Sequence, residues 1–114
     1  DENHIELNNV ALIDPLSYID FLSLVNGSTL VLTDSGGIQE ETTFMNIHCL
    51  TLRNETERPI TVELGTNKIV GLDTENIISE INKSLTSKLP NEIKIENWDG
   101  RTSERIYNIL IKKL

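Results

Sequence analysis

Leu30-Val31-Leu32-Thr33-Asp34-Ser35-Gly36-Gly37-Ile38-Gln39-Glu40-Glu41 decides how the rest of this chain is read. Leu30 to Thr33 is a short, β-rich apolar run of the length of one buried strand. Asp34 or Ser35 can cap a helix, and Gly36-Gly37 leave the backbone bare at its first turn. A helix start preceded by glycines offers free N–H groups and the positive end of the macrodipole, a setting that suits a phosphate or diphosphate. Many strand–turn–helix junctions bind nothing, so the stretch alone leaves both readings open.

Glu41 adds to it. At 3.6 residues per turn it shares a stripe with Ile38, Thr42 and Met45, while Glu40 points the other way. An ionised carboxylate on a partly buried face is costly unless something pairs with it. Hydroxyls of a ligand, such as a ribose diol, would do so; solvation at the rim or an arginine would serve equally.

Working outward, Val10 to Ile13 reads as a strand, followed by a helix that starts with Asp14 as N-cap and Pro15 at N1. Tyr18, Ile19, Phe21, Leu22 and Val25 form its apolar face, and Asn26-Gly27 stops it. After the helix Gly36 to about Met45, Asn46 ends the pattern and Cys49 to Leu52 forms a third strand. The loop Arg53 to Pro59 and a polar segment Thr61 to Asn67 lead to a fourth strand, Lys68 to Gly71. Asp73 or Thr74 caps a helix with Ile77, Ile78, Ile81 and Leu85 inward, ending near Leu89-Pro90. Asn91 to Gly100 reads as loop, and Thr102 or Ser103 begins a last helix. Alternating strands and helices mean βαβ units, right-handed crossovers and a parallel sheet, with ligands bound outside the carboxyl ends of the strands. The Asp14-Pro15 turn, Ser35-Gly36-Gly37 and the Arg53 to Arg58 loop all fall at that edge, which strengthens the anion-site reading.

The 114 residues suffice for one domain and one modest core. A net charge of -8 argues against nucleic acid or an anionic membrane as partner. No run is apolar and long enough to cross a bilayer. Within this acidic chain, Arg53 and Arg58 are the only cations before Lys68, and two arginines in one loop suit an anion site or a structural ion pair. The single cysteine, Cys49, reads as a buried structural thiol, which fits a cytoplasmic origin. His4 and His48 lack metal-ligand spacing, and neither a metal nor a cofactor is expected. Met45 is the only methionine, so the chain reads as a piece of a longer protein.

Thr33 to Glu41, Leu52-Arg53, Thr56-Glu57-Arg58-Pro59, Gly65-Thr66-Asn67 and Val70-Gly71 together resemble the non-hydrolysing UDP-N-acetylglucosamine 2-epimerases. Pro15 to Phe21 upstream, and Trp98-Asp99-Gly100 with Glu104-Arg105-Ile106 downstream, fit the same family. The resemblance implies two Rossmann-like domains facing a cleft, the GT-B arrangement, with residues 1–114 as the distal part of the second, UDP-binding domain. It implies interconversion of UDP-GlcNAc and UDP-ManNAc by elimination of UDP, a glycal intermediate, proton return on the other face and re-addition of UDP. A homodimeric parent is expected.

By position, Ser35, Gly36 and Gly37 would hold the diphosphate, Glu41 would accept from the ribose hydroxyls, Arg58 would be a charge partner, and Phe21 would lie near the uracil. Helical spacing alone already explains Phe21 as core, and Arg53 reads as structural. The family's acid–base carboxylates belong to the other domain and its phosphate-site histidine to an earlier segment, so this chain alone should not turn over substrate. In the expected strand order 3-2-1-4-5-6, Val10 to Ile13 would be strand 3, cut off from strand 4 by the two missing strands. It must then move beside Leu30–Thr33, pair with another chain, or lose its place. The competing readings are the donor-binding half of a GT-B glycosyltransferase and a non-catalytic nucleotide-sugar-binding module.

Overall fold

Strand β1 (Leu30–Thr33), strand β2 (His48–Thr51) and strand β3 (Asn67–Ile69) lie side by side in the order β1-β2-β3, all parallel. The computed structural model describes residues 8–114. The register pairs Val31 with Cys49 and Cys49 with Asn67 on one face, and Leu32 with Leu50 and Leu50 with Lys68 on the other. Helix α2 (Gly36–Met45) joins β1 to β2, and the short helix α3 (Pro59–Glu63) precedes β3. Helix α4 (Thr74–Thr86) returns beneath the sheet.

The two faces are identified by their contacts. Asn67 reaches Gln39 of α2, whereas Lys68, one residue on, reaches Glu80 of α4. Helices α2 and α4 therefore cover opposite faces of β2, and Cys49 and Leu50 are 0% and 1% exposed. Burial raises the Cys49 thiol above its ordinary pKa, leaving it an unreactive core group.

Helix α2 starts and stops where its residues require. Ser35 is the extended N-cap, and Asn46 takes the left-handed conformation at the far end, donating its N–H to Thr42 O and Thr43 O. Helix α4 is capped by Asp73, whose side chain accepts from Asn76 N–H at 2.9 Å.

Several expectations change. Val10 to Ile13 is not a strand: Val10, Leu12 and Ile13 are 55%, 81% and 61% exposed, outside the sheet. A strand exists only by pairing, and none of β1, β2 or β3 pairs with this segment. Asp14-Pro15 does not begin a helix either. Helix α1 (Tyr18–Asn26) starts at Ser17, whose Oγ accepts from Asp20 N–H at 3.3 Å and donates to the Asp20 carboxylate at 2.6 Å. The turn thus follows no strand, and the sheet positions two of the three expected loops.

Strands β2 and β3 each begin one residue earlier than their apolar runs suggested, and the polar segment after Arg58 contains α3. Helix α4 ends at Thr86, and its inward face is Ile77, Glu80, Ile81 and Ser84. Ile78 and Leu85 are each 54% exposed. Helix α5 (Thr102–Lys113) has no buried residue. Asp99 prepares its first turn, accepting from Arg101 N–H at 3.0 Å and pairing with Arg105.

Candidate functional site

The site begins at the carboxyl end of β1. Thr33 Oγ1 accepts the Ser35 N–H at 3.0 Å and turns the chain sharply into α2. Ser35 makes no side-chain capping bond, so its hydroxyl leaves the first-turn N–H groups of α2 uncapped. Asp34, Ser35 and Gly37 are exposed, and Gly36 is half-buried.

The loop after β2 closes on this turn. A Cβ on Gly36 would meet Glu57 Oε1, the movable end of a side chain, at 2.6 Å and lie 3.9 Å from Arg58 Cγ, so glycine lets the loop come this close without displacing Glu57. Arg53 Nη1 pairs with Glu57 Oε2 at 2.9 Å, the structural role expected of it. A hydrogen bond from the backbone N–H of Glu57 itself, and after it the Arg53 ion pair, hold the Glu57 carboxyl below the usual range. The Ser35-Gly36-Gly37 turn and Arg58 are thus brought together, as the topology predicts for loops after neighbouring strands.

Arg58 is not free in this arrangement. Its Nε lies 3.0 Å from Glu40 Oε1, an ion pair without hydrogen-bond alignment. Glu40 and Glu41, expected to diverge, both line a cavity of about 480 Å³ with Tyr18, Leu22, Phe44, Met45 and Trp98. Glu41 Oε1 accepts from the Tyr18 hydroxyl at 2.9 Å, and that bond holds the Tyr18 phenol above its ordinary pKa. Among the described residues Glu41 Oε2 has no hydrogen-bond partner. None of the partners foreseen for Glu41 was a tyrosine: helical spacing placed Tyr18 with the apolar face of its own helix.

Phe21 stands apart. It lines a groove of about 430 Å³ along the free side of β1, with Leu24, Val25, Val31, Thr33 and Ile38. Thr33 brings one end of that groove to the glycine turn, but Phe21 and Glu41 face different hollows. His48 Nε2 lies 3.4 Å from Ser87 O, at the end of α4, and His4 lies outside the described residues. Among the described residues no group of three or more His, Cys, Asp or Glu is placed to hold a metal ion.

Sequence reasoning missed the polar cluster beneath the site. Gln39, Thr51 and Thr61 are fully buried and Asn67 is 5% exposed. Gln39 Oε1 accepts from Thr56 Oγ1 at 2.6 Å and from Asn67 Nδ2 at 3.0 Å, joining α2 to the loop and to β3. Polar residues read as surface; the one available signal is that Gln39 shares a helical stripe with Thr42 and Thr43, which are also fully buried.

Residues 2–111 match the family profile described as UDP-N-acetylglucosamine 2-epimerase. The UDP-N-acetylglucosamine 2-epimerase of Methanocaldococcus jannaschii is 41% identical over 106 residues, 89% of this chain and 27% of that protein. The Escherichia coli K12 protein of the same name is 46% identical over 110 residues, 91% of this chain and 29% of that protein. The solved M. jannaschii epimerase in complex with UDP-GlcNAc and UDP superimposes with a TM-score of 0.78 at 42% identity, covering 88% of this chain and 27% of that one. The chain therefore spans less than a third of the length of the relatives it matches.

Proposed function

Because this chain belongs to the UDP-N-acetylglucosamine 2-epimerase family, we propose that it is the UDP-binding part of an isomerase that interconverts UDP-GlcNAc and UDP-ManNAc, and that it is inactive alone. The family sets aside the donor half of a glycosyltransferase. In this reading, residues 1–114 are the distal part of the second domain, and the proton-transferring carboxylates lie elsewhere in the parent.

The observation that carries the reading is the approach of the Arg58 loop to Gly36 at the start of α2. UDP departs as an anion when the glycosidic C–O bond breaks. N–H groups fixed at a helix start, with an arginine beside them, stabilise that developing charge without reorganising. Ser35, Gly36 and Gly37 hold the diphosphate. Arg58 exchanges its half-exposed pairing with Glu40, in which Nε makes no aligned hydrogen bond, for the phosphates. Glu41, with Oε1 held by Tyr18, offers Oε2 to the ribose diol. Phe21 faces a different hollow from Glu41, so the uracil reaches it through the end of its groove that Thr33 brings to the glycine turn.

Calorimetric titration of the 114-residue chain with UDP, beside Glu41→Ala and Arg58→Ala, tests the assignment. Binding is expected in the unmodified chain and is expected to weaken about tenfold or more in each variant. A folded chain that does not bind UDP, or variants that bind as tightly as the unmodified chain, would overturn it.

A further inference from the structure

We propose that Gln39 and Thr56 form a clamp that positions Arg58 against the glycine turn of α2, an inference that rests on the diphosphate reading of that turn. Gln39 lies three residues after Gly36, on the sheet-facing side of α2, with 0% exposure. Its Oε1 is the node of two hydrogen-bonded routes that end on the backbone of Arg58. In the first, Thr56 Oγ1 donates its one proton to Gln39 at 2.6 Å and accepts the Arg58 N–H at 3.0 Å. In the second, Asn67 Nδ2 donates to Gln39 Oε1 and to Thr61 Oγ1, each at 3.0 Å, and Thr61 Oγ1 donates to Arg58 O at 2.7 Å. Thr51 Oγ1 donates to Asn67 Oδ1 at 2.5 Å and fixes which way that amide faces.

Both backbone polar groups of Arg58 are thus tied to one oxygen on α2. Arg58 needs holding: its φ of -122° and ψ of 58° lie outside helix and strand, just ahead of Pro59. A side chain that merely filled this space would be apolar. Gln39 instead buries an amide whose Nε2 has no partner among the described residues, a cost an apolar residue would avoid. What the amide supplies is the oxygen, and the oxygen fixes where the guanidinium of Arg58 starts from. Gln39 and Thr56 are positioning residues that act through Arg58.

The test is a double-mutant cycle on UDP affinity with Thr56→Val, Arg58→Ala and the pair, repeated with Gln39→Met in place of Thr56→Val. Thr56→Val keeps the shape and removes the relay, and is expected to lower UDP affinity about tenfold. In the Arg58→Ala background the same change is expected to cost nothing further. Thr56→Ser keeps the hydroxyl and is expected to bind like the unmodified chain. A loss that adds fully to that of Arg58→Ala would mean a general loosening of the site and would overturn the clamp. So would a folded Thr56→Val or Gln39→Met chain that binds UDP normally. If the unmodified chain does not bind UDP, the diphosphate reading falls and takes the clamp with it. If UDP binds through Arg58 while the cycle shows no coupling, only the clamp falls.

Discussion

Gly65 and Gly36 are both crowded, yet they respond to a methyl group in opposite ways. A Cβ on Gly65 would sit 2.5 Å from Thr43 Oγ1 and 2.5 Å from Thr61 O, one of them backbone and both between packed elements. Nothing there can yield, so Gly65→Ala is expected to destabilise the chain by about 1–3 kcal/mol through overpacking, read as a lower urea midpoint at unchanged slope. At Gly36 the obstacle is the end of the flexible Glu57 side chain. Gly36→Ala is expected to change stability by less than about 1 kcal/mol while weakening UDP binding in the titration. A midpoint that fell as far as in Gly65→Ala would contradict this. At this scale the sequence was partly legible. The glycines announced a bare turn, and spacing put Glu41 on a half-buried stripe, but Tyr18 against Glu41 and Glu40 against Arg58 depend on how helices and loops meet in space.

At the scale of elements, a self-contained signal could be read and a borrowed one could not. β1 and α2 were legible because strand length, glycines and a left-handed Asn all lie within them. Val10 to Ile13 has the residues of a strand without the partners of one. On α4, periodicity favoured Ile78 and Leu85, yet Glu80 takes the inward position because Lys68 of β3 and Lys83 of its own helix close on it. Lys83 Nζ lies 2.6 Å from Glu80 Oε1, and the Glu80 side chain is 8% exposed. Hydrogen bonds from Lys68, then Lys83, hold its carboxyl below the usual range. A carboxyl depressed by folding stabilises above its unfolded pKa, about 4.3, and loses that contribution as pH falls through the folded value. The unmodified chain is therefore expected to melt above Glu80→Gln at pH 7, with the gap closing below about pH 4. Comparison with Glu80→Gln isolates this group from Glu57 and Asp99, whose carboxyls are also lowered. A gap that stayed constant into acid would show that the lysines do not stabilise the ionised form.

Over the whole molecule, order is expected to fall with distance from β2. The radius of gyration is 17.3 Å, where a compact domain of this length would have about 13 Å. The excess fits a sheet with covered faces and a last helix that buries nothing. Ile106, Ile109, Leu110 and Ile111 of α5 are 50–57% exposed, and its fastening is at its start, through Asp99, Arg101, Glu104 and Arg105. An isolated helix of 12 residues is marginal in water, because nucleation is costly and most helical stability comes from packing an apolar face. Composition and periodicity announce such a helix whether or not anything covers it, which is why its existence was legible and its exposure was not. Native-state hydrogen exchange resolves the difference. In the 114-residue chain the amides of β2 are expected to exchange slowest, at the rate of global unfolding, and those of α5 fastest. UDP is expected to slow the amides of Gly36 to Ile38 and of the 53–58 loop while leaving α5 unchanged. Protection of α5 equal to that of β2 would mean that its apolar face is covered in solution, and protection by UDP confined to α5 would move the ligand away from the glycine turn.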